Sequence, residues 1–485
     1  MWYNVMLVRK KQNGGNKLST AVKENKMGYM PENKLLLSMS IPMMLSMLIQ
    51  ALYNIVDGLF VAGISETQFE LEAVNLAFPA QNLMIAVSVG IGVGLNALIS
   101  RNLGFGNHKK ANKIAGQGLL LSLVSYILFA TVGTALVRPY FELMTADIVK
   151  SDPAKAQAVI EFGVQYLRIC FLASFGLFCQ VAHEKFMQST GKTMLSMTTQ
   201  IVGAVVNIIL DPILIYGWFG LPALGIAGAA YATVIGQIIS AIVGIILQQK
   251  RNTELSFTFE DIKPNGKIIK EIFGIGLPSI LMNSIGSFMT AAFNKIIMPL
   301  STYAVNVFGI YFKLQSFVFM PIFGFNNGMI SIVAYNYGAR KKKRVVRTIK
   351  LGFVYAVSMM LFGFALFQMF PDVFLSMFNM TEDAVNTVGV PALRTISISF
   401  IFAGFSIICA AVFQAFGYGL FAMFVSIGRQ LVTLLPVAYL LALSGDVNNV
   451  WWAFPIAEIV CVILSLIFFA YIYKKKIRTL PDSIS

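Results

Sequence analysis

Residues Leu35 to Val56 run for twenty-two positions without Asp, Glu, Lys or Arg. The stretch from Thr193 to Gln249 carries a single such charge, Asp211. About 20 apolar residues in a helix cross the hydrocarbon core of a membrane, where every backbone polar group must be satisfied internally. Comparable uncharged runs recur at 73–100, 114–137, 272–294, 314–339 and 351–371. Joined runs at 193–249 and 395–445 each hold two crossings, and weaker segments lie near 159–183, 296–312 and 449–473. These runs predict an all-α polytopic membrane protein with about twelve transmembrane helices. Composition agrees: 12% of the 485 residues are charged, against about 25% in soluble domains.

The net charge of +15 raises nucleic-acid binding as an alternative, but its distribution argues against that class. Lys and Arg cluster at 9–34, 101–113, 250–270, 340–350 and 474–478. The loops at 66–72, 218–224 and 372–383, and the turn at Asp446, are acidic or neutral, while 138–155 is mixed. This alternation is the positive-inside pattern of an even number of spans with both termini cytoplasmic. No stretch between spans is long enough for a separate basic domain. Cys170, Cys179, Cys409 and Cys461 all lie in predicted spans without metal spacing, so they read as small apolar packing groups. The lysine-rich residues 1–32 lack an apolar stretch of signal-peptide length and read as a flexible cytoplasmic tail. With His108 and His183 as the only histidines and no catalytic signature, enzyme chemistry finds no support.

The chain also repeats itself. Ala73-Val74-Asn75 recurs as Ala304-Val305-Asn306, and Asn102-Leu103-Gly104 as Asn336-Tyr337-Gly338. Arg168 precedes Gln188-Ser189-Thr190-Gly191 as Arg394 precedes Gln414-Ala415-Phe416-Gly417, and Pro42 is matched by Pro278. The matches keep one order and a nearly constant offset, which predicts two pseudo-symmetric six-helix bundles. Their expected limits are 33–250 and 271–475, with a linker at 251–270 and a C-terminal tail at 476–485. Six spans per half make the repeats parallel, related by an axis along the membrane normal, as in transporters that rock one half against the other.

Against this apolar background, Asp57 and Asp211 are costly, and an ionisable group at membrane depth marks a pathway or binding site by default. Tyr53 and Asn54 lie four and three residues before Asp57, and Asn207 lies four before Asp211, so each set shares a helix face. A carboxylate with an amide one turn away suits a proton or a small cation such as Na⁺. Two carboxylates brought together in low dielectric repel, and burial penalises their charged forms, so such a pair can exchange protons. The bland alternative is that Asp57 faces the extracellular boundary and Asp211 caps a helix broken at Pro212. In the second half, Glu458 is the only deep acid and is expected to pair with Lys313 or line the cleft with it. Lys295, Arg394 and Arg429 read as snorkelling to the interface. Gly90, Gly92 and Gly94 mimic part of a phosphate loop, but mid-span they point to close helix packing. The 24 methionines and 40 phenylalanines suit an adaptable apolar lining as well as ordinary packing.

Pro42, Val56-Asp57, Asn207 through Asp211-Pro212, and Gly225-Ile226-Ala227-Gly228-Ala229-Ala230 resemble the multidrug and toxic compound extrusion (MATE) family, most closely its bacterial MepA-like members. Asn306 to Gln315 and Asn336-Tyr337-Gly338-Ala339-Arg340 add to the likeness, which covers about residues 33–475. The resemblance implies a twelve-helix efflux antiporter of the bacterial cytoplasmic membrane, monomeric and without a cofactor. Such a protein expels amphipathic, often cationic compounds in exchange for H⁺ or Na⁺. It also implies a first-lobe cation site at Asp57, Asn207 and Asp211, with Thr233 as the sixth-helix threonine; the shared helix face adds Tyr53 and Asn54 to the candidates. Gln188, Gln414, Lys313 and Glu458 are candidates for the substrate cleft. The chain departs from the NorM-like subgroup in lacking acids at 272–300 and 386–410, which puts a second-lobe cation site in doubt. Two rivals remain. A flippase for lipid-linked saccharides would want cations such as Lys295, Lys313 and Arg394 lining the cleft. A Na⁺-coupled nutrient symporter would want paired Gly/Pro-interrupted helices, which the sequence lacks.

By repeat register, Asp57 maps near Phe293 and Asn294, and Asp211 near Val437. Neither acid has an acidic twin, so the coupling chemistry is expected in the first lobe alone.

Overall fold

The computed structural model describes residues 25–378 and 380–481. Its long apolar helices are α1 (Glu32–Ala62), α2 (Phe69–Gly104), α3 (His108–Met144), α4 (Pro153–Leu172 continued by Phe175–Ser189), α5 (Thr193–Tyr216) and α6 (Ile226–Arg251). They continue as α7 (Gly266–Ile297), α8 (Ala304–Gly338), α9 (Lys342–Met369), α10 (Glu382–Ala415), α11 (Gly419–Ala442) and α12 (Val447–Ile477). The two parts of α4 meet at 48°, so twelve spans result when they count as one broken span. Local sequence sets the ends. Asn107, Asp152 and Asn265 accept backbone N–H groups at the starts of α3, α4 and α7. Gly217, at φ +74°, closes α5 in a conformation that a side chain would strain.

The segments expected separately at 296–312 and 314–339 are not two spans. Met298–Tyr303 is a turn, and α8 runs unbroken for 35 residues. Lys313, which divides the uncharged runs, lies on an exposed part of the helix and so does not end it.

Helices α1 to α6 pack on one another, as do α7 to α12, and the two lobes meet where α2 crosses α7 and α8 and where α1 crosses α8. The repeat is visible in the backbone. Asn102 and Asn336 each donate from Nδ2 to the carbonyl four residues back, at 2.8 and 2.9 Å. A positive-φ turn follows each, at Gly106 and Arg340, and a second matched pair lies at Gly191 and Gly417. The lobes close most tightly at the end of the bundle that carries these repeated turns and most of the basic residues. A Cβ on Gly104 would lie 2.0 Å from the Tyr335 carbonyl, and one on Gly338 would lie 2.1 Å from that of Arg101. Gly90 meets the Gly276 backbone, Gly94 meets Ile272, and Gly92 makes room for the Lys185 stem. The three glycines therefore serve close packing.

Part of the tail expected to be flexible is docked. Met27 is fully buried, and the Asn25 amide donates to Thr190 O in the first lobe and to Glu254 Oε2 in the linker. From the second lobe, Asn336 and Arg344 donate to Met27 O, Arg344 to Met30 O, and Lys341 to Gly28 O. Residues 25–30 thus strap the lobes together at the basic end, a role that no local sequence signal announced. Residues 1–24 and 482–485 lie outside the described residues. The linker is shorter than expected, because α7 begins at Gly266. Its short helix Phe259–Ile262 docks on α3, where Gln117 holds the carbonyls of Asp261 and Lys263 and the N–H of Asn265.

Candidate ion and substrate site in the first lobe

Asp211 is fully buried on α5, and Asn207 one turn earlier donates to its Oδ1 at 3.2 Å. The helix continues through Pro212 to Tyr216, so Asp211 sits inside it and does not cap a broken end. Asp57 lies half-buried on α1, which packs directly against α5. Asn54, one turn before Asp57, is exposed. Three buried oxygens, Asp57 Oδ1, Asn207 Oδ1 and Asp211 Oδ2, have no hydrogen-bond partner among the described residues. Leaving a buried polar atom unmet costs about 1–3 kcal/mol, more for a charged group. Such a cluster is therefore suited to a proton or a small hard cation, which oxygen ligands prefer.

Beside it lies a cavity of about 130 Å³ lined by Tyr53, Asn207, Thr233, Glu184, Lys185 and Gln200, among others. Drug-sized pockets are about 300–1,000 Å³, so this space matches an ion with its waters and not a bulky organic cation. Glu184 and Lys185 escaped the sequence reading because they follow the weak apolar segment 159–183, where a charged pair looks like a loop. The break in α4 instead turns both residues inward, each 4% exposed. Glu184 accepts from Gln180 at 2.9 Å and Gln200 at 2.7 Å, which satisfies a third acid in the same lobe. Lys185 donates to Gln188 at 3.0 Å and, across the lobe boundary, to Asn327 of α8 at 3.2 Å. A Glu-Lys pair with Gln188 one turn later, inside a half-length helix, was the available signal.

The second lobe is built differently from expectation. Glu458 pairs with Arg429 at 2.5 Å and not with Lys313, whose ammonium lies over the Phe378 ring. Arg429 therefore has a partner inside the lobe, and the snorkelling reading fails for it. Lys295 and Arg394 lie at exposed positions. Gln188 and Gln414 are buried, bonded to Ser196 and Ser279, and do not line the first-lobe cavity. Phe293, in the register of Asp57, is fully buried among Phe308, Trp451 and Phe454. The four cysteines are buried and unbridged.

The family model described as MatE matches residues 42–213 and 278–440, one stretch in each lobe and well over half of the chain. The chain belongs to the MatE family. The two matched stretches of this MatE protein carry the repeat, and the first holds both Asp57 and Asp211. The chain is 27% identical over 456 residues to the multidrug export protein MepA of Staphylococcus haemolyticus strain JCSC1435, covering 92% of this chain and 95% of that one. It is 26% identical to MepA of Staphylococcus aureus strain MRSA252, over 90% of this chain and 93% of that one. A MATE family transporter of the MOP superfamily, solved in an outward-facing conformation, superposes with a TM-score of 0.86 at 25% identity, covering 95% of this chain and 100% of that one. These relatives are named as export proteins and transporters, not as enzymes.

Proposed function

We propose that this MatE protein is a secondary multidrug exporter that exchanges amphipathic, often cationic compounds for H⁺ or Na⁺ across a bacterial cytoplasmic membrane. The observation that carries the reading is the set of unmet buried oxygens at Asp57, Asn207 and Asp211 beside a cavity lined almost wholly by the first lobe. One bound cation or proton offsets the burial of that negative cluster. An organic cation drawn to the same charge competes with it, and coupling follows when the ion binds the two orientations of the lobes unequally. The basic end is read as cytoplasmic from the positive-inside pattern. The glycine seam and the strap then hold that end shut, so the described form is read as outward-facing. Drug binds in the cleft between the lobes, next to the smaller ion cavity.

The test is ethidium efflux from proteoliposomes under separately imposed pH and Na⁺ gradients. One gradient alone should drive efflux, and Asp57→Asn and Asp211→Asn should each abolish the driven component. Glu184→Gln should weaken export of cationic dyes more than of neutral ones. Intact ion-driven efflux in both aspartate variants would overturn the reading. The flippase alternative loses ground because Lys295, Lys313 and Arg394 do not converge on the cavity beside the aspartates.

A further inference from the structure

The repeat places two matching crevices between the lobes at the basic end, and they are filled in different ways. In the first, the strap brings backbone oxygens to cations: Arg344 meets Met27 O and Met30 O, and Lys341 meets Gly28 O. That crevice is bounded by Thr190, Gly191 and Asn336. The register that pairs Asn102 with Asn336 also pairs Lys110 with Arg344, and Gly417 stands where Gly191 does. Those partners, Asn102, Lys110 and Gly417, line the second crevice, a cavity of about 430 Å³.

Arg101, Lys110 and Lys476 give this second cavity its charge, and Glu271 is its only acid. Glu271 is bound by Lys110 at 2.9 Å, which leaves two positive charges in excess. Arg101 is braced by the rings of Phe105 and Tyr337, and Lys476 lies over Tyr418. Among the described residues, neither cation has a carboxylate partner. Rings hold the cations in place without neutralising them. Basic pockets between transmembrane helices on the cytoplasmic side suit anionic headgroups, and a guanidinium presents paired donors to phosphate.

We propose that this second crevice is a phosphate-anion site, supplying from a bound phosphate the acceptor oxygens that the strap supplies in its twin. The phosphate comes from an anionic phospholipid headgroup or from free phosphate in solution. Arg101 belongs to the first lobe and Tyr418 and Lys476 to the second, so the bound anion ties the lobes together in the form described here. The inference rests on the fold and not on the proposed transport cycle.

The experiment is thermal unfolding of the purified full-length protein in detergent, titrated with phosphatidylglycerol, with phosphatidylcholine, or with inorganic phosphate. Phosphatidylglycerol should raise the midpoint by several degrees and phosphatidylcholine should not. Arg101→Gln/Lys476→Gln should lose more than half of that rise. Lys263→Gln/Lys267→Gln, which removes the same charge from exposed positions at the same end, should keep it. A matching rise with inorganic phosphate identifies the soluble anion as the source, and a rise with the lipid alone identifies the headgroup. If the double variant does not fold, Lys476→Gln alone should still weaken the response. The proposal is overturned if the cavity variants respond as the parent does, or if the exposed-lysine control loses as much. Dye efflux stays a separate readout, so failure here leaves the proposed function untouched.

Discussion

The two lobes share a backbone plan, yet the same position holds Asp57 in one and the fully buried Phe293 in the other. The first lobe gathers Tyr53, Asn207, Glu184 and Lys185 round a small cavity, with Asp211 bonded to Asn207. Around Phe293 the second lobe gathers Phe308, Trp451 and Phe454, with ring centroids between 4.6 and 6.1 Å apart. Burying aromatic surface stabilises, and burying unmet carboxylate oxygens costs. The second lobe thus concentrates aromatic packing, with an unmet carboxylate oxygen of its own at Glu458 Oε2, while the first holds unmet oxygens at Asp57, Asn207 and Asp211 that the proposed ion would relieve. A duplicated chain can separate these tasks because each half keeps the helix plan while its interior changes.

The contrast can be broken at several points. The largest expected effect is that of Asp211→Asn, which removes the buried charge and should take ion-driven dye efflux to background while folding, followed by size-exclusion, persists. Next is Phe308→Ala in the aromatic core, which should cost about 3–5 kcal/mol of stability and leave the identity of the driving ion unchanged. A change of coupling ion in that variant would show that the second lobe does more than pack. Third is Gly104→Ala at the seam, where the new methyl meets a backbone carbonyl. It should cost up to about 3 kcal/mol and expose thiol probes at the basic end to water-soluble reagents. Smallest is Arg344→Ala, which removes the guanidinium's bonds to Met27 O and Met30 O and leaves those of Asn336 and Lys341. It should lower stability by about 1–2 kcal/mol and raise the rate of proteolysis near residue 25. An unchanged rate would mean that the bonds from Asn25, Asn336 and Lys341 suffice to hold the strap.

Much of this was legible in residue order. The uncharged runs located the spans because lipid admits little else at that length, and the repeated Asn-x-Gly and Pro positions located the halves. Asp57 and Asp211 stood out because each is costly in its surroundings. Glu184 and Lys185 did not, since a charged dipeptide at the edge of an apolar run has the same local appearance whether it meets water or turns inward. The break in α4 decided that, and packing against α5 and α8 adds Gln200 and Asn327 to the partners within α4.

The other errors have the same origin. Glu458 had several candidate cations on its lobe, and sequence distance does not choose among them; the course of α11 beside α12 chose Arg429. The strap looked like a tail because its value lies in bonds to residues 165 to 317 positions away. Helix length, membrane class, duplication and the placement of acids in one half follow from local composition and periodicity, which act over a few turns. Which charges meet, which crevice a strap fills and which twin remains a basic cavity depend on contacts made only when distant helices pack, and the tertiary structure alone decided those.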